Sequence, residues 1–135
     1  MAVGIKVGSI VDEIGAPSFL HSFFSTISAH ADDGRWGSRF PHLFRLYEGR
    51  VPAHEAADAL AELREAKLIL SRLSPASVVW DIENRSAKPP WGSDISPGIT
   101  SLGNYFVSST GRDLFDLLEE ALEAAGQEDH DASIE

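Results

Sequence analysis

The spacing of hydrophobic positions changes several times along the chain, and each change marks an element. Val3, Ile5 and Val7 alternate with Gly4, Lys6 and Gly8, the period of two that a strand with one buried face requires. Ile10 and Val11 extend this strand, and Gly15-Ala16-Pro17 ends it. From Pro17 or Ser18 the period becomes helical: Phe19, Leu20, Phe23, Phe24 and Ile27 recur on one side, with His21, Ser22 and Ser25 on the other, until Asp32-Asp33-Gly34 closes the helix. His42 to Tyr47 satisfies both periods and leaves a short helix and a strand open, ahead of the turn Glu48-Gly49-Arg50-Val51-Pro52. A long helix is predicted from about Ala53 to Leu73, with Ala56, Leu60, Leu63 and Leu70 as its apolar stripe. A strand is predicted over Ser77 to Glu83, with Val78, Trp80 and Ile82 facing one way and Asp81 and Glu83 the other.

The stretch from Trp91 to Leu122 is the most complete. Turn residues around Pro89-Pro90 and Ser96-Pro97-Gly98 lead into Leu102 to Val107, where aromatic and β-branched residues predict a half-buried strand. Thr110, with Asp113 three residues on, has capping-box spacing and predicts a helix starting near Gly111. Its apolar face is Leu114, Phe115, Leu118, Ala121, Leu122 and Ala125, which leaves Asp116, Glu119, Glu120 and Glu123 on the opposite face. After Gly126 the periodicity stops, and the remaining residues read as a frayed tail. The pattern predicts one α+β domain over residues 1–126, with a small sheet of about three or four strands packed with about three main helices, followed by an acidic, flexible tail over 127–135.

At 135 residues the chain is long enough for one domain with its own core. Its apolar runs are too short for a membrane-spanning helix, and the N-terminus lacks a charged leader with an apolar core, so the expected location is the cytoplasm. Cysteine is absent, which excludes disulfides and thiolate chemistry. The net charge is −10, and its placement is more informative than its size. From Arg112 to Glu135 there are nine acidic residues and one basic one. Such a patch repels phosphate backbones and anionic lipid, which argues against direct nucleic-acid or membrane binding, and it steers a basic protein partner. A helix face made acidic for solubility is the commoner cause of such a patch.

The remaining motifs point to no enzyme class. His54-Glu55 begins like a zinc-protease helix, but Asp58 stands where the second histidine would fall. Asp81 with Glu83 could serve acid–base work or bind a metal together with a histidine, which keeps a small hydrolase or metal enzyme as an alternative; a solvent-facing strand edge is the simpler account. Arg35 to Pro41 mixes cations with aromatics, yet such cations in an acidic chain more often pair internally. No cofactor, metal or catalytic residue is assigned.

The order of these motifs resembles the immunity protein 70 family of bacterial polymorphic toxin systems. The resemblance rests on Gly37-Ser38-Arg39-Phe40-Pro41, on the long charged helix ending near Leu73, on Trp91-Gly92 with Ile95-Ser96-Pro97, and on the run from Ser101 to Val107 that continues through Ser109-Thr110-Gly111-Arg112-Asp113-Leu114-Phe115. It implies an α+β fold, no catalytic residues, and a cognate toxin as the partner to be neutralised. The exposed acidic positions Asp116, Glu119, Glu120 and Glu123, with Asp81, Glu83 and Trp91, are the expected toxin-binding residues, suited to a basic toxin such as a nuclease. Trp91 could be core or interface. A non-toxin interaction or oligomerisation module is a further alternative, and homo-oligomerisation stays open.

Overall fold

The computed structural model describes residues 2–92 and 94–135. Strands β1 (Val3–Val7) and β2 (Ile10–Gly15) form an antiparallel hairpin in which Val7 pairs with Ile10. Gly8 has a φ of 61°, the conformation that a two-residue hairpin turn can place at its first position with glycine. The single strand expected through Val11 is therefore folded back on itself, with Ile5 and Ile14 buried and Ile10 and Val11 exposed at the tip. Helices α1 (Pro17–Ala31) and α2 (Pro41–Glu48) follow, then β3 (Arg50–Val51), α3 (Ala56–Leu70), α4 (Leu114–Glu128) and β4 (Ala132–Ile134). The sheet runs β2-β1-β4-β3 and is antiparallel throughout. Four strands with four helices make the α+β architecture that the pattern predicts, and α2 settles the ambiguous His42 to Tyr47 segment as a helix.

The last residues depart most from expectation. Instead of fraying, they form β4, which lies between β1 and β3. Asp129 ends α4 in a left-handed conformation, φ 56° and ψ 46°, and reverses the chain toward the sheet. Ala132 is fully buried. The amide of Ile134 donates to Gly49 O (2.8 Å), that of Glu135 to Gly4 O (2.8 Å), and Asp131 Oδ1 accepts from the amide of Ala53 (2.9 Å).

Two other predicted strands are irregular. Segment 77–83 lies along the polar side of α1, which holds its backbone with side chains. The Ser22 and Thr26 hydroxyls donate to Val79 O (3.0 and 3.1 Å), Thr26 Oγ1 accepts from the Val79 amide (3.1 Å), and His30 Nε2 lies 2.7 Å from Ser77 O. With its backbone bonded to hydroxyls and an imidazole, this segment does not need a neighbouring strand. Ser22, expected on the open side of α1, is buried by this contact; Ser25, expected there too, is buried with its hydroxyl unpartnered among the described residues. Segment 102–107 contributes Leu102, Tyr105 and Phe106 to the core without alternation, and among the described residues its strand-like pairing is one bridge from Val107 to Asp113. Gly103 is needed there for space: a Cβ would sit 2.3 Å from Ser71 Oγ and 3.1 Å from Ser71 Cα.

α4 also begins later than expected. Gly111 has a φ of 85°, which no helix residue adopts, and Asp113 is itself the N-cap, accepting from the Asp116 amide (3.2 Å). Thr110 bonds Ser108 Oγ instead (3.0 Å). The apolar face of α4 is buried as predicted, with Leu117 added. At the centre, Phe23 of α1 packs against Phe24, Phe106 and Phe115 with ring centroids 4.9–5.3 Å apart. α1, α4 and the loop before α4 are thereby joined in one core.

Candidate functional site

α4 presents its four carboxylates as the periodicity requires. They line one shallow groove of about 390 Å³ together with Arg112 and Asp113. The neighbouring helix α3 supplies cations: Arg64 pairs with Glu119 (3.1 Å) and Lys67 with Asp116 (3.3 Å), while Arg112 pairs with Glu120. Among the described residues Glu123 makes no ion pair. Five carboxylates against three cations leave the face acidic, but less so than the sequence alone implies. The side chains of Asp116 and Glu120 are 61% and 68% exposed, and ion pairs that open to water are worth at most about 1 kcal/mol each.

The other expected residues belong to a separate region, the long irregular connection between α3 and α4. Asp81 does not stand on a strand face. Its Oδ1 lies 3.0 Å from His21 Nε2 and accepts from the Glu83 amide (3.0 Å), and the His21 bond is the main cause of its lowered pKa. His21 Nδ1 lies 2.9 Å from the Tyr47 hydroxyl. In neutral His21 the arrangement is satisfied when Nε2–H donates to Asp81 and Nδ1 accepts from Tyr47. Burial, followed by the Glu83 and Asp81 charges, raises the Tyr47 pKa, which keeps its proton in place. This Tyr–His–Asp chain fastens the 77–83 segment to α1 and α2. Glu83 is exposed.

Trp91 stands at the rim of the molecule, 39% exposed, with its indole Nε1 donating to the Tyr105 hydroxyl (2.8 Å) and its ring edge-on to Trp80 at 5.4 Å. It therefore belongs to neither alternative alone, because one edge is anchored and a face is open. Beside it lies a cleft of about 710 Å³ that sequence reasoning missed, since four short segments between Ser74 and Tyr105 build it. The proline-rich basic loop from Asn84 to Pro90 was its one visible signal.

Elsewhere the Glu62–His42 pair serves the fold. Glu62 of α3 accepts from the amides of His42 and Leu43 (2.9 Å each), capping α2, and meets His42 Nδ1 at 2.5 Å. The Glu62 hydrogen bond raises the His42 pKa. A pKa raised on folding contributes stability that is fully present below the unfolded value of about 6.5 and is lost as pH rises through the folded value. The melting temperature should therefore fall from about pH 6 to about pH 8.5 more in the wild type than in Glu62→Gln. Equal falls, read by circular dichroism, would contradict this assignment. Among the described residues no group of three or more histidine, aspartate or glutamate side chains could hold a metal ion, and no helix is long and apolar enough to cross a membrane.

The fold and the surface define a small α+β protein with exposed ion pairs on its helix faces and, in a separate region, an open apolar cleft. The family model of immunity protein 70 matches residues 5–134, and the chain belongs to that family. The match includes β4, so it extends past the point where the resemblance read from motifs stops. Neither the curated proteins nor the solved structures give a significant match. Family membership makes this an immunity protein of a toxin system, with a cognate toxin as its partner.

Proposed function

We propose that the protein neutralises its toxin in the cytoplasm by binding, without catalysis, and that α4 covers the toxin's active or substrate-binding surface. The observation that carries this reading is the placement of Asp116, Glu119, Glu120 and Glu123 on one exposed helix face in a single groove. A toxin that acts on nucleic acid needs a basic surface to hold its substrate. An acidic face of this kind is complementary to it and is drawn to it by long-range attraction. Glu83 adds a further exposed carboxylate, whereas Asp81 is committed to His21.

The mechanism predicts a salt-dependent encounter. Raising ionic strength from about 0.05 M to about 0.5 M should lower the association rate constant with the cognate toxin domain by about tenfold or more, with a smaller change in the dissociation rate. Stopped-flow mixing of the two proteins measures both rates. An association rate independent of salt would remove the electrostatic mechanism.

A further inference from the structure

We propose that the cleft beside Trp91 is a docking site for an extended segment of the toxin that carries a large apolar side chain close to a carboxylate. For the source of that segment, the inference rests on the reading of the protein as a toxin-binding one; the chemistry of the site stands on the cleft itself. Pro75, Val78, Trp80 and Tyr105 give it apolar walls, and Arg85 and Lys88 are its charged residues. In a chain with 21 acidic and 11 basic residues, a cleft lined by two cations and no carboxylate runs against the composition. Among the described residues neither Arg85 nor Lys88 makes an ion pair. Two unpaired cations flanking apolar walls are complementary to an occupant that is both apolar and anionic.

The shape specifies an elongated occupant. A second cavity of about 220 Å³ shares Ile95 and Tyr105 with the first, and Trp91 lines it together with one carboxylate, Asp94. Two cavities in series fit successive same-side side chains of an extended backbone, with the anionic group at the Arg85 and Lys88 end and an apolar side chain at the Asp94 end. Hydrogen bonds hold the chain next to the walls. Leu102 N donates to Leu73 O (3.0 Å), Asn104 Oδ1 accepts from the amides of Thr100 and Ser101 (3.0 and 3.1 Å), and Trp91 is fixed to Tyr105 (2.8 Å). Preformed aromatic pockets next to arginine have the composition of interface hot spots.

The test uses the intact chain and an array of random nine-residue peptides, with the double variant Arg85→Glu/Lys88→Glu and the single variant Trp80→Ala alongside, each checked by circular dichroism for an unchanged fold. The expected result is a set of binders that share a large apolar residue within about two positions of Asp or Glu, bound at least about tenfold more weakly by the double variant. The same double variant should weaken the cognate toxin by about tenfold. Three results would overturn the site: no binders, binders without an acidic residue, or binders indifferent to both variants. Binding of indole-3-propionate in the cleft while peptides are excluded would also overturn it, in favour of a small-ligand pocket. A wild-type chain that binds the acidic peptides but not the toxin would overturn the immunity mechanism and leave the docking site standing. A toxin bound equally by wild type and double variant would do the reverse.

Discussion

A chain ended after Asp129 should not fold. The six residues removed include all of β4, which lies inside the sheet and pairs with β1 through Ile5, Lys6 and Val7 and with β3 through Arg50 and Val51. Without it β3 has no strand partner, and the second edge of β1 opens to water. The Ala53 amide loses Asp131, and the carbonyls of Gly4 and Gly49 lose their donors. Each lost hydrogen bond is worth about 0.5–1.5 kcal/mol, and the removed residues also uncover core around the fully buried Ala132. Together the cost is about 5 kcal/mol or more, as large as the whole stability of many domains. Far-UV circular dichroism with a thermal scan should show no cooperative transition. Removing Glu135 alone should leave a transition in place, since β4 itself is retained. A truncated chain that melts cooperatively within a few degrees of the wild type would show that β4 is not needed.

The second large effect is expected at α4. Replacing Asp116, Glu119, Glu120 and Glu123 with lysine changes the charge of one face by eight and sets like charges beside Arg64, Lys67 and Arg112. Electrostatic steering raises association rates by about 10- to 1,000-fold, so this variant should lose most of that gain and bind the toxin about 100-fold more weakly or worse. Its own fold should be weakened by only about 1–3 kcal/mol, because exposed pairs contribute little and only Asp116 lies in the first turn, where the helix dipole favours negative charge. The isosteric set Asp116→Asn, Glu119→Gln, Glu120→Gln and Glu123→Gln removes the attraction without adding repulsion and should give an intermediate affinity. Equal affinity for all three proteins would place the toxin elsewhere on the surface.

How much of this was legible depends on where each element finds its partners. α1, α3 and α4 are long enough for their apolar period to stand out, and the buried face of α4 and the apolar side of α1 follow from it, whereas the buried serines of α1 do not. The stripe of α3 is read less well, because Ala59 and Ala66 fill it where helices pack closely and Leu60 is only half-buried. β4 is three residues long and offers no period to read. Segment 77–83 has the alternation of a strand but bonds to hydroxyls about 50 residues earlier in the chain. In segment 102–107 the aromatic residues signal burial, and burial alone does not distinguish a strand from an irregular segment. The same limit applies to the surface. The four carboxylates of α4 were visible as a face, but their cations Arg64 and Lys67 come from α3, 49 to 55 residues away. The cleft was hidden because its walls come from loops that carry no period at all.

The most direct test is a titration of the cognate toxin's activity with the intact chain and with the four-lysine variant, at about 0.15 M salt. The account predicts that the wild type abolishes the activity at stoichiometric ratio, and that the folded variant needs about 100-fold more protein to reach the same inhibition. A toxin unaffected by the wild type, or inhibited equally by both, would contradict it.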